Sequence, residues 1–160
     1  MKVCSTSLNT IRFLCIRNKA EEGFEVIRSF HRFGVEGSLV DNLGGGNGYL
    51  FLVDKDTGKL KANGAKNVKN GGEIYMDKLD YPGNLAYGGM EIPRYKEIKD
   101  KIIEISNSLP FLCYIGWDVA ITNDGFKIIE TNSLTSLGVL QRDGGFLDDP
   151  SLRRFYLREE

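Results

Sequence analysis

The stretch IGWDVAITNDGFKIIETNS, Ile115 to Ser133, holds two apolar runs separated by Asn123-Asp124-Gly125. That tripeptide reads as a hairpin loop. A type I turn is followed by Gly125 in the left-handed conformation, where a missing Cβ removes the steric cost. In that register Thr122 faces Phe126, and counting outward sets Asp118 opposite Glu130. Opposed residues on one face of a sheet have Cβ atoms roughly 4.5–5.5 Å apart. Asn132 lies two positions beyond Glu130 and shares its face, whereas Trp117 points to the other.

Two facing carboxylates repel, and opposed like charges weaken a sheet. A basic side chain, a shared proton or a divalent cation has to compensate. Magnesium takes one or two carboxylates together with substrate phosphates. Asp118, Glu130 and the neutral amide oxygen of Asn132 are hard donors that suit magnesium or manganese. Two other readings stand beside this one. The face is solvated, with Asp118 and Glu130 paired to lysines, or the two carboxylates do glycosidase work. No aromatic sugar platform accompanies them.

The rest of the chain supplies the setting. It has 160 residues, 41% of them hydrophobic and 27% charged, which fits one soluble globular domain. The net charge of −1 gives no electrostatic reason to expect nucleic acid. No apolar run approaches the roughly 18 residues of a membrane span. Cys4, Cys15 and Cys113 are widely spaced, and the only histidine is His31. Reduced thiols in a cytoplasmic protein, two of them in strands, follow more naturally than zinc. His31 reads as a strand residue rather than a general base.

Alternation places strands at 7–16, 23–33 and 49–53, with Arg28, Phe30 and Arg32 on one face of the second. Residues 60–90 are rich in Gly, Asn and Lys. They read as irregular, with one short strand near 72–76 and a solvated loop around Lys66 to Lys69. Tyr75, Tyr81 and Tyr87 of this region either line a pocket or cover the sheet. Ile98, Ile102, Ile105 and Leu109 recur at helical spacing, so 93–109 is a helix opened by Pro93 and ended by Pro110. Near the end, an Asp before Pro150 caps a short helix. The sum is an α+β domain with a mainly antiparallel sheet and flanking helices.

The hairpin GWDVAITNDGFKIIETNS resembles the metal-binding strand pair of ATP-grasp ligases, and most of all the sugar-transfer-associated ATP-grasp family. SLNTIR at 7–12, RFGVEGSLVDNLGGGNGYLFLVDKDTG at 32–58 and LGVLQ at 137–141 resemble further segments of that family. The resemblance runs from about Ser7 to Gln141. It implies the C-terminal catalytic half of an ATP-dependent carboxylate ligase. In such a ligase ATP phosphorylates a carboxylate, and an amine or other nucleophile displaces the phosphate. Asp118, Glu130 and Asn132 would hold Mg2+ or Mn2+ on the phosphates of ATP. Arg12 is the candidate for steadying the acyl phosphate, since a guanidinium fork fits its oxygens; the plainer reading is a surface strand arginine. Arg32 has a similar part or a structural ion pair. Asn42, Gly44, Gly45 and Gly46 are candidate contacts to ATP through converging backbone N–H groups, although a plain turn is the simpler reading of the glycines. No G-K-[ST] follows them, so this is not a P-loop.

The pattern has departures. Nothing before Ser7 corresponds to the subdomain that holds adenine in ATP-grasp enzymes. The expectation is therefore a single domain, 1–160, with a partial ATP-grasp fold that lacks the N-terminal nucleotide-binding subdomain and self-associates through the face left open. SLTSLG follows Asn132 where these ligases commonly have a Pro-Gly loop. The carboxylate substrate is not named by any motif, and a link to polysaccharide synthesis rests on the family alone. The alternatives to catalysis are a metal- and nucleotide-binding remnant and a structural interaction domain.

Overall fold

The computed structural model describes residues 7–18, 23–35, 48–68, 72–81, 85–133, 135 and 137–158. Its centre is a seven-stranded antiparallel sheet. The strands are β1 (Thr10–Asn18), β2 (Gly23–Phe33), β3 (Tyr49–Val53), β4 (Leu60–Val68) and β5 (Gly72–Met76), followed later by two more. A two-stranded ribbon, β6 (Asp80–Tyr81) with β7 (Leu85–Ala86), comes next, and then helix α1 (Tyr95–Asn107). The hairpin of β8 (Tyr114–Thr122) and β9 (Gly125–Asn132) completes the sheet, and helix α2 (Pro150–Leu157) closes the chain. The sheet order is β5-β4-β3-β2-β1-β8-β9. An α+β fold with flanking helices is what the sequence leads one to expect.

β1 is an interior strand covered on both faces. Ile11, Phe13 and Cys15 point to one core, with Phe51, Trp117, Val119 and the α1 residues Tyr95, Ile98 and Ile102. Leu14 and Ile16 point to the other, with Phe30, Leu50 and Leu52 from the sheet and Leu140, Phe146 and Leu152 from the closing segment. Each fully buried side chain of this kind contributes roughly 1.5–3 kcal/mol. A surface pair such as Lys96–Asp100, 88% and 58% exposed, contributes about 0–1 kcal/mol. The two apolar layers hold the fold.

Several boundaries differ from the sequence reading. α1 starts at Tyr95, because Arg94 takes a left-handed φ of 60° and pairs with Glu97 instead of continuing the helix. Its buried stripe is Tyr95, Ile98, Ile102 and Ser106, while Ile105 and Leu109 are only partly covered. Ser106 is accommodated because its hydroxyl bonds to the Ile102 carbonyl and accepts from Trp117 Nε1. Asp149 caps α2 as expected, accepting from the N–H groups of Ser151 and Leu152. The larger correction is β4, a nine-residue strand in the region read as irregular. Lys66 belongs to it rather than to a loop. Tyr75 lies in β5 against the second core, and Tyr87 is buried in the first. Among the described cysteines only Cys15 is in a strand; Cys113 is exposed just before β8. No described helix is long and apolar enough to cross a membrane.

Candidate functional site

The hairpin brings Asp118 opposite Glu130, and Asn132 opposite Gly116. The route to that register is not the expected one. Thr122 pairs with Gly125 rather than Phe126, and Gly125 is not among the left-handed glycines. A bulge then intervenes: Val119 faces Ile128 and Asp118 faces Glu130, so Ile129 is the extra residue. The turn shifts the register by one, and the bulge shifts it back.

Asp118 does not meet Glu130 alone. β1 lies on the other side of β8, and its register sets Arg12 opposite Asp118. The Arg12 guanidinium grips the carboxylate with two bonds, from Nε to Oδ1 and from Nη2 to Oδ2 at 2.6 Å. Arg32, one strand further, donates from Nη2 to Oδ2 at 2.8 Å. It also donates from Nε and Nη2 to Thr10 Oγ1, at 3.0 and 2.7 Å. Arg12 Nη2 stands 3.7 Å from Glu130 Oε1. Asn132 Nδ2 donates to Glu130 Oε1 at 3.3 Å. The repulsion between the facing carboxylates is thus compensated here by guanidinium groups, not by lysines.

Burial grades this cluster from inside to outside. The Asp118 side chain is 2% exposed, Arg12 10% and Glu130 56%. Burial by itself pushes the Asp118 carboxyl up, but the hydrogen bonds of Arg12 and the charge of Arg32 hold it below the usual carboxylate range. Arg12 is therefore no surface arginine; its guanidinium also lies over the Phe30 ring, 5.9 Å from the centroid. Arg12, Asp118, Arg32 and Glu130 together carry no net charge. Glu130 is exposed and Asn132 half-buried, at the outer side of the cluster.

The segment after β9 folds back over this face. Thr135 is buried, and its Oγ1 sits 2.0 Å from where a Cβ on Gly116 would be. Arg12 Cδ lies 3.5 Å from that same point. Glycine at 116 leaves room for the threonine against the stem of Arg12. Burial pushes the neighbouring Tyr114 phenol up, Tyr156 adds to that, and the Thr135 hydroxyl draws it partly back. The Thr135 hydroxyl lies beside the Tyr114 phenol but meets neither it nor any other group in full hydrogen-bonding geometry. Thr10, Gly116 and Thr135 were not marked by sequence. Thr10 was within reach of alternation, since it shares a face with Arg12; Thr135 had no signal.

Other expected residues fall elsewhere. Asn42, Gly44, Gly45 and Gly46 lie outside the described residues. His31 is buried on the opposite face, stacked on Phe33, with Nδ1 2.9 Å from the Arg32 carbonyl. Burial lowers its pKa from 6.5 to about 4, with the Arg32 backbone bond opposing and the Arg32 charge assisting. A depressed imidazole stabilises the fold fully above pH 6.5, and that contribution fades as pH falls from 6.5 to about 4. Urea titrations are expected to show about 2 kcal/mol lost between pH ~7 and ~5, a loss absent in His31→Gln. A wild-type profile flat over that range would contradict this burial.

Among the described residues no three His, Cys, Asp or Glu side chains gather into a metal cluster. A cation here would rest on two carboxylates and an amide. That donor set fits: all are hard oxygens, and among the described residues Asp118 Oδ1 accepts one hydrogen bond, from Arg12 Nε, which leaves it a lone pair.

A family model, sugar-transfer associated ATP-grasp, matches residues 1–148. The chain belongs to that family. Neither the curated proteins nor the solved structures compared with it gave a match. Membership in an ATP-grasp family supports an ATP-binding, ligase-like function, and the antiparallel sheet with flanking helices is consistent with an ATP-grasp-like α+β fold.

Proposed function

We propose that this chain forms the metal- and phosphate-handling half of an ATP-dependent carboxylate ligase. The observation that carries the reading is Asp118 facing Glu130, with Asn132 on the same face and two guanidinium groups beside them. Asp118, Glu130 and Asn132 would hold magnesium or manganese. The ion supplies charge neutralisation for the phosphates of ATP.

The chain's own residues then have separable tasks. The planar fork of Arg12 holds Asp118 through Nε and Nη2 and has its remaining guanidinium N–H groups to offer to phosphate oxygens. Arg32 is anchored on Thr10 and keeps positive charge beside that fork. In this reading a substrate carboxylate takes the γ-phosphoryl group and ADP leaves. A nucleophile then attacks the acyl phosphate, phosphate departs, and Arg12 stabilises the charge on the oxygens at the reacting centre. In this reading the chain supplies the later half of the ATP-grasp fold and meets ADP through its phosphates. The family description supports a setting in sugar transfer, and a part in polysaccharide synthesis belongs to the same proposal.

The test is Mn2+ binding followed by electron paramagnetic resonance, with and without ADP. Glu130→Gln is expected to abolish the ADP-dependent Mn2+ signal while leaving unfolding within about 0.5 kcal/mol of wild type, since the side chain is exposed. Unchanged Mn2+ binding would sink the metal assignment. A second reading is favoured by both Asp118 oxygens being engaged by guanidinium groups. In it the cluster is structural and takes no cation, and wild type itself gives no ADP-dependent signal.

A further inference from the structure

Thr135 is an anomaly in a well-paired site. Its side chain is buried, and its hydroxyl is in full hydrogen-bonding geometry with no group, the neighbouring Tyr114 phenol included. Buried polar groups are nearly always bonded, and an orphan needs an explanation. Valine has almost the same shape and would fill the space without that cost.

The position of the orphan supplies the explanation. Thr135 packs on the bare backbone of Gly116, beside the stem of Arg12. Gly116 is two residues from Asp118 along β8 and pairs with Asn132 across the hairpin. The hydroxyl therefore stands by the stem of Arg12, on the face of β8 that carries Asp118. It is a neutral donor next to a cationic fork, able to bond an anion while Arg12 supplies the charge.

We infer that Thr135 is a ligand-binding residue whose hydroxyl donates to a phosphate oxygen of the bound nucleotide, and that Gly116 is the positioning residue that lets it do so. The inference rests on the proposed nucleotide-handling function. The unbonded state is the ligand-free state; the partner arrives with the anion. A hydroxyl kept for a ligand has a signature that a packing residue lacks. Removing it costs the empty protein nothing in hydrogen bonds and relieves an unsatisfied group, so stability rises as binding falls.

The experiment compares wild type, Thr135→Val and Thr135→Ser. Each is titrated with ADP in the presence of Mn2+ by calorimetry, and each is melted without ligand. The expected result is ADP binding about tenfold weaker in Thr135→Val, with a Tm higher by about 2–4 °C. Thr135→Ser keeps the donor and is expected to bind within about threefold of wild type. Wild-type affinity in Thr135→Val overturns the inference while leaving the proposed function standing. So does a lowered Tm with proportionate loss in Thr135→Ser, which would mark a packing role. Failure of wild type to bind ADP overturns the proposed function and this inference together.

Discussion

Asp118→Ala is expected to lower the unfolding free energy by about 3–5 kcal/mol, which for a chain of this size moves Tm by about 10 °C. The cause is not the lost attraction alone. Two guanidinium groups, 10% and 12% exposed, would be left without the carboxylate that satisfies them. Breaking a buried pair from one side strands the other charge. Thermal and urea unfolding of the single variant measure this directly. A loss under about 1 kcal/mol would mean that the arginines find water readily and that the cluster is less enclosed than its burial indicates.

Removing the whole cluster is expected to do much less. Arg12→Met, Arg32→Leu and Asp118→Leu together replace the ions with apolar groups, and such replacements are often neutral or stabilising. A triple variant that folds at wild-type stability yet shows no ADP-dependent Mn2+ signal would mean that the cluster is retained for its ligand. A triple variant as unstable as Asp118→Ala would favour the structural reading.

Gly64→Ala is the second large effect, expected at about 3 kcal/mol. A Cβ at this position would lie 2.1 Å from the Leu50 carbonyl oxygen and 2.8 Å from Leu79 Cδ2. The leucine end can move, but the carbonyl belongs to β3 and is fixed by the sheet. Relief requires β4 to pull away just where the β3–β4 register is already irregular. Equilibrium unfolding tests it; a Gly64→Ala protein as stable as wild type would show that β4 yields without cost.

β4 also marks where the sequence stops being readable. LKANGAKNV offers no apolar alternation, and the strand is held by backbone pairing to β3 and β5 on either side. By contrast β2 and β3 carry enough buried apolar residues to announce themselves, and their ends fall where alternation puts them. The Asp118–Glu130 pair was legible for a compensated reason: the turn is one residue tighter than expected, and the bulge at Ile129 restores the match. The grip of Arg12 and Arg32 on Asp118 was not legible. It joins residues 106 and 86 positions apart through the order β2-β1-β8, which no local pattern encodes.

That strand order has a further consequence. β8 is hydrogen-bonded on both sides, whereas β9 is the last strand of the sheet as described. Asp118 therefore sits on a strand that opens only when the sheet does. Glu130 and Asn132 sit on a strand with one neighbour and a largely exposed face. Edge elements of this kind open locally at free energies well below that of global unfolding. The two halves of the site should differ in their amide hydrogen-exchange lifetimes, long along β8 and short along β9. A ligand that bridges them would lengthen the second set toward the first, so the assembly of the site is itself a small folding reaction, completed by what it binds.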